Sequence, residues 1–416
     1  MATLILHASQ VLTMAGSEHP RAGREKGSVG VLNDAAVLVA DGKIVAAGPS
    51  SRVLAHPAAI GAKRLSAKGG VVTPGFVDAH THPVFAAPRL DDFEARIQGA
   101  TYADLAARGG GILWTVNGVR GAAEADLAAG LRRRVADFLA CGTTTIEAKS
   151  GYGLDLESEF KMLRALKTVN ERGPLEIVPT LLGAHAVPPE SRGRKEDYVR
   201  RVCDEMIPRA ASEGLAKFVD IFCEDGYFDL TDLERVAAAA ERAGLALKVH
   251  SEQLSRMGSL SAAVKRKAVS VDHLDHADET DFAALSASRT VACLVPGSNY
   301  FLGKPYPPAR RLLDAGAAVA LATDFNPGTC PCLDMRTIVS LACTQMKMSP
   351  GEALVSATIN GAHAAGLGDT HGSLETGKIA DLVCHEAEDW RELAYYFGST
   401  KTRWTMKRGE IVLGAA

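Results

Sequence analysis

Between about residues 67 and 373 the chain alternates short, continuously apolar runs with longer stretches whose apolar residues recur every three or four positions. The first kind includes VVTPGFVDAH, TTTIEAK, LEIVPTLLGAH, AKFVDIFCED, LALKVH, AVSVDHLDH, TVACLVP and AAVALATD, all of β type. The second kind is exemplified by ADLAAGLRRRVADFLACG, where Leu127, Leu131, Val135, Phe138 and Leu139 fall on one helical stripe. Such alternation implies parallel strands joined by crossover helices, and eight β-type runs predict an α/β fold, a TIM (β/α)8 barrel over residues 67–373. Outside that span the pattern changes. AVLVADGKIVAAG, residues 36–48, has two β-rich runs around Asp41-Gly42, a dipeptide suited to a tight hairpin because the turn needs positive φ. IADLVCHEA and WTMKRGEIVLG close the chain in the same manner, the second turning at Arg408-Gly409. Strands at both ends predict one small β-sandwich domain assembled from residues 1–66 and 374–416.

At 416 residues there is ample material for a core, and the formal net charge of −3 comes from nearly balanced acids and bases. No long Lys/Arg run is present, so neither nucleic acid nor an anionic membrane is an expected partner, and a small molecule is. The start, MATLILHASQVLTM, lacks the charge pattern and cleavage site of a signal peptide, and no apolar run approaches about 18 residues. A cytoplasmic location is expected. The eight cysteines are scattered, mostly in apolar segments, and read as reduced core residues; Cys330 and Cys332 are spaced too closely for a zinc knuckle.

The ends of the β-type runs concentrate chemistry. In order they deliver His80 and His82, Glu147 and Lys149, His185, Glu224 and Asp225, His250, Asp272 and His273, and Asp324. In a barrel the C-terminal strand ends converge on one face, so these distant residues are expected to meet there. Two histidines one residue apart, at the end of a buried strand that bends, can aim at one cation, because neutral imidazole nitrogen is a good donor to zinc or iron(II). Adding His250 and Asp324 makes a mononuclear site of four ligands. A cation of this kind generates a nucleophile from water near neutral pH, which makes hydrolysis the natural chemistry.

VDAHTHPVF, KVH and ATDFNPG resemble the amidohydrolase superfamily. The stretches RLDDFEARIQGATYADLAARGGGI, EAKSGYGLD, LLGAHAVPPE, VDIFCEDGYF, HSEQ, VDHLDH, LVPGSNYFLG and ATDFNPGTCP are similar to its imidazolonepropionase family. That resemblance covers nearly the whole chain. It implies hydrolysis of the cyclic amide of 4-imidazolone-5-propanoate to N-formimidoyl-L-glutamate in histidine degradation. It also implies one divalent metal per chain, zinc or iron, a homodimer, and metal ligands His80, His82, His250 and Asp324. Arg89, Tyr152, His185, Gln253, Asn326, Gly328 and Thr329 are the implied substrate contacts.

The residues themselves add roles. Guanidinium binds carboxylate bidentately, which suits Arg89 to a propanoate tail; an ion pair with Asp91 or Asp92 is the plain alternative. His185 is expected to hydrogen-bond the substrate carbonyl, His273 to orient the attacking water, and Asp324 to pass its proton to the leaving nitrogen. Some members of the family carry glutamate three places after the metal histidine, where this chain has Gln253. A neutral amide cannot act as a base, so proton transfer falls on His273 and Asp324, and Glu252 takes a solvated or structural role. Lys149 is either paired with Glu147 or carbamylated to bridge two metals. The same ligand set would also support deamination of a nucleobase-like ring, or a barrel that binds a metal without catalysing.

Overall fold

The computed structural model describes residues 2–414, apart from 17, 101–103 and 105–107. Part of the stretch 89–112 quoted above therefore lies outside the described residues. Eight parallel strands pair in chain order: Phe76–Thr81, Thr143–Lys149, Glu176–Ala184, Phe218–Cys223, Ala246–Ser251, Ser270–His273, Val291–Leu294 and Val319–Leu321. The ring closes where Thr81 pairs in parallel with Phe325, and where His82 N donates to Phe325 O at 2.9 Å and Asp324 N to His80 O at 3.0 Å. Closure therefore brings the first and last strands together at the residues that carry the chemistry.

Each of the eight predicted runs yields a barrel strand, but VVTPGFVDAH is two strands. Val71–Pro74 pairs antiparallel with Leu382–His385 in a separate sheet, and Phe76–Thr81 enters the barrel. Gly75 is the joint, where a Cβ would run into the side chain of Thr144. The predicted helical stripe is buried as expected, with Leu127, Leu131, Val135, Phe138 and Leu139 facing inward from the helix Glu124–Ala140.

Both chain ends contribute to two mixed sheets. One orders Lys43–Pro49, Ala35–Ala40, Thr3–Leu6 and Lys63–Ser66; the other runs from Glu410–Gly414 through Thr402–Lys407, Leu382–His385, Val71–Pro74 and Gln10–Leu12 to Val31–Leu32. Ile5, Val37 and Leu65 of the first pack with Leu382, Trp404 and Met406 of the second in one apolar core. The hairpins turn as predicted, with Asp41 and Gly42 at φ +50° and +75°, and Arg408 and Gly409 at φ +50° and +79°. All eight cysteines are free. Among the described residues no helix is long and apolar enough to cross a membrane.

Candidate metal centre

His80 and His82 sit at i and i+2 about the end of the first barrel strand, where side chains of alternate residues share a face. The strand's pairing shifts register between Asp78 and Thr81, so the end bends inward. His250 lies one residue before the end of the fifth strand, and Asp324 follows the eighth. Their donor atoms converge. His82 Nε2 lies 3.3 Å from His80 Nε2 and 3.4 Å from His250 Nε2, and Asp324 Oδ1 lies 3.6 Å from the Nε2 of both His80 and His82.

The chemistry of these donors tests whether a cation fits. The Nδ1 of His80 donates to Asp272 Oδ2 at 2.6 Å, and that of His250 faces Asp220 Oδ1 at 3.1 Å. On a neutral ring each hydrogen bond puts the proton on Nδ1 and leaves Nε2 a bare lone pair. Burial holds His80 and His82 well below the usual histidine range, so both rings are neutral; Lys149 adds to the effect on His80, and His185 to that on His82. The bare lone pairs of His80 and His250 both face His82 Nε2, which has at most one proton to give, so a donor set of this kind suits a shared cation. Donors about 2.0–2.2 Å from one ion at tetrahedral angles stand about 3.3–3.6 Å apart, which matches the four separations given above, and the three histidine donors all lie within 4.8 Å of one another. The residues fit a single divalent ion.

The carboxylates behind the histidines are part of the design, since they fix ring orientation and tautomer. Asp220, within the fourth strand, and Asp272, within the sixth, are both fully buried. Asp324 has its own support, because Ser298 Oγ donates to Oδ2 at 2.9 Å and leaves Oδ1 aimed at the imidazoles. Neither Asp220 nor Ser298 stands out in the sequence: one is mid-strand and the other sits inside a helix start. A register argument could have found Asp220, since it pairs across from Lys248, two places before His250.

Backbone strain marks the same rim. His273, Leu274 and Asp324 have φ of +82°, +66° and +53°, a region that non-glycine residues enter at a cost of about 1–3 kcal/mol each. At His273 this turns the ring toward the cluster, with its centroid 5.3 Å from that of His80 and 5.2 Å from that of His250. The neighbouring Leu274 N is tied to Ser251 O at 3.1 Å. Burial above all, with His250 adding to the effect, holds His273 well below the usual histidine range.

His185 stacks on His82 with centroids 5.3 Å apart and neighbours Tyr152 at 5.5 Å. Its Nδ1 lies 2.9 Å from Gly151 O, and a carbonyl can only accept, so Nδ1 carries the proton. Burial lowers its pKa to about 3, with His250 adding to the effect. The neutral ring therefore offers Nε2 as an acceptor, not the donor expected for a carbonyl oxygen. Phe222, which the sequence pattern does not single out, forms the wall, with its ring 5.8 Å from His250 and 6.2 Å from His185.

Arg89 points into this region instead of pairing with Asp91 or Asp92: Nε donates to Thr115 Oγ1 at 2.6 Å, and the guanidinium lies 6.0 Å from the Tyr152 ring. Tyr152 in turn is 5.9 Å from His82. Gly328 packs beneath the guanidinium. The remaining expected contacts are arranged differently. The Asn326 amide bonds Asp324 O and Thr329 Oγ1 at 2.7 Å each, and accepts from the backbone N of Gly328 and Thr329. Asn326 and Thr329 thus shape their loop. Gln253 is held by its backbone N on Glu224 Oε1 at 2.5 Å.

Two open alternatives are resolved by partners. Glu252 is buried and turned away, accepting from Met257 N, Ser259 Oγ and Leu260 N at 2.8, 3.1 and 3.3 Å, which makes it a brace for the helix Ser259–Lys265. Lys149 Nζ lies 2.9 Å from Glu147 Oε1, 2.8 Å from Asp220 Oδ2 and 3.7 Å from Asp272 Oδ2. A carbamate there would put a fourth negative charge against three buried carboxylates, so the lysine is an ammonium.

The chain is similar to known proteins along nearly its whole length. The amidohydrolase family matches residues 71–412. The imidazolonepropionase of Solibacter usitatus is 43% identical over 98% of each chain, and that of Geobacillus kaustophilus 41% identical over 98% of this chain and 97% of its own. Among solved structures, an adenosine deaminase from Xanthomonas campestris with bound zinc superposes with a TM-score of 0.73 at 20% identity, covering 99% of this chain and 93% of that one. A triazine hydrolase variant gives a TM-score of 0.73 at 17% identity over 99% and 95%. At such identities these two likenesses speak for the fold alone.

Proposed function

Since the chain belongs to the amidohydrolase family and to the imidazolonepropionases within it, whose reaction is hydrolysis of 4-imidazolone-5-propanoate to N-formimidoyl-L-glutamate, we propose which of its atoms do that chemistry. The observation that carries the reading is the convergence of His80, His82 and His250, whose ligand nitrogens all lie within 4.8 Å of one another, with Asp324 Oδ1 3.6 Å from the Nε2 of both His80 and His82. A divalent ion bound there, zinc or iron(II), supplies Lewis-acid activation of water, whose pKa falls from about 15.7 toward about 7 beside such a charge.

The chain's own residues do the rest. Arg89 holds the propanoate by charge-assisted hydrogen bonds, and Tyr152, packed beside it, closes that end of the pocket. His185 orients the ring by accepting a substrate N–H at Nε2, a role its hydrogen bond to Gly151 selects. His273, held at a strained backbone, positions the attacking water over the ring carbonyl. Asp324 takes the water's proton and delivers it to the departing ring nitrogen, while Ser298 keeps Oδ2 from swinging. Gln253 lines the pocket without a part in proton transfer, and Asn326, Gly328 and Thr329 shape the loop under Arg89. The expected assembly is a homodimer.

The deciding experiment follows the absorbance of imidazolonepropanoate with metal analysis on the same preparation. Substrate loss proportional to bound metal, one per chain, is the expected result. No loss at any metal loading would reject the assignment, and ammonia release from a nucleobase in its place would make the chain a deaminase.

A further inference from the structure

Behind the imidazoles the barrel interior is charged. Lys149, the last residue of the second strand, is fully buried with three carboxylates around Nζ, from Asp220, Glu147 and Asp272. Two of these are the ones that fix ligand histidines. Asp220 meets Lys149 through Oδ2 at 2.8 Å, takes the backbone N of His250 on Oδ1 at 3.2 Å, and has both oxygens 3.1 Å from His250 Nδ1. Asp272 meets His80 Nδ1 at 2.6 Å through the same Oδ2 that faces Lys149 at 3.7 Å and Lys248 at 3.8 Å; its Oδ1 takes Ser270 Oγ at 2.6 Å. Lys248 is otherwise engaged by the carbonyls of Ala79 and Ala364. One ammonium therefore stands behind two of the three imidazoles.

We propose that Lys149 is a positioning residue which, by locking the carboxylates of Asp220 and Asp272, holds His250 and His80 in the orientation that binds a divalent cation. An ammonium fixed against each carboxylate limits how far it can swing, and so limits the orientations open to the imidazole that shares it. The compact lysine head can serve three oxygens at once, which the planar fork of arginine in the same space cannot. The inference rests on reading the imidazole cluster as a metal site.

The test uses cobalt(II) as probe on the full chain stripped of metal. Lys149→Met is expected to weaken cobalt binding about 10–100-fold, measured by competition with a chromophoric chelator, and to shift the d–d absorption of the bound ion as ring orientation relaxes. Were Lys149 only a charge partner for folding, the variant would melt lower with both readouts unchanged, and that result overturns the proposal. Should Lys149→Met fail to fold, Asp220→Asn with and without Lys149→Met removes the charges as a pair. A further several-fold loss of cobalt affinity, through the Asp272 arm, is then expected, and equal affinities overturn it. Wild-type protein that binds no cobalt would remove the metal reading itself.

Discussion

The guanidinium of Arg89 lies so close over the backbone of Gly328 that a Cβ at 328 would overlap it. Glycine is required there for space, since the residue is absent from those with positive φ. The substitution Gly328→Ala should push the guanidinium aside without disturbing the metal ligands. A charge-assisted hydrogen bond contributes about 1.5–3 kcal/mol, so KM should rise about 10–100-fold with kcat within about twofold. Steady-state kinetics beside a thermal melt check this. An unchanged KM would mean that Arg89 does not hold the propanoate.

Ser298 Oγ donates to Asp324 Oδ2 at 2.9 Å, and both side chains are buried. Ser298→Ala leaves Asp324 free to rotate and offer the wrong oxygen to its partners. By analogy with other residues that orient metal ligands, kcat should fall about 10–100-fold while KM barely moves. Metal content measured on the same samples separates lost ligation from misdirected proton transfer. Wild-type turnover by this variant would show that Asp324 needs no brace.

The strand ends were legible in the sequence because a barrel is a repetitive machine. Each β-type run delivers its last residues to one rim, so the sequence alone assigns His80, His82, His250, His273 and Asp324 to one place. What lay beneath the rim was not legible. Asp220 reads as one polar residue in an apolar strand, and its hydrogen bond to His250 depends on the register between the fourth and fifth strands. Periodicity does not set that register. The tautomer of His185 was not legible for a related reason. Strand position places the ring, but its proton is assigned by the carbonyl of Gly151, which comes from a loop 34 residues away. The split of VVTPGFVDAH at Gly75 likewise needs Thr144, whose approach leaves no room for a side chain.

Glu252, two residues after His250, has both oxygens engaged at and just before the start of the helix Ser259–Lys265. Removing its charge should therefore act on stability and leave the chemistry alone. Glu252→Gln is expected to destabilise by about 1–2 kcal/mol, the scale of a lost buried hydrogen bond or helix cap, with kcat/KM near wild type. Urea denaturation paired with kinetics would tell. A tenfold or larger fall in kcat at unchanged stability would return Glu252 to proton transfer.

Part of the acid sensitivity should trace to a histidine outside the imidazole cluster. His385 is fully buried in the sheet beside the barrel, with Nε2 3.1 Å from Thr73 Oγ1, its ring 5.8 Å from Phe76, and Nδ1 without a partner. Burial, helped by the charge of Arg336, lowers its pKa to about 3. In the unfolded chain the ring titrates near an ordinary value of about 6.5, so between about pH 3 and 6.5 the unfolded state binds the extra proton. Stability is thus complete above about pH 6.5 and is lost as the pH falls through that window, at up to about 1.4 kcal/mol per unit for this ring. His363 and His371, each lowered to about 4 mainly by burial, act with the same sign. Urea midpoints at several pH values between 7 and 4.5 should show the decline. His385→Gln, which cannot titrate yet keeps a polar group for Thr73, should make it shallower by close to one proton. Parallel curves for variant and wild type would mean that His385 is free to protonate within the fold.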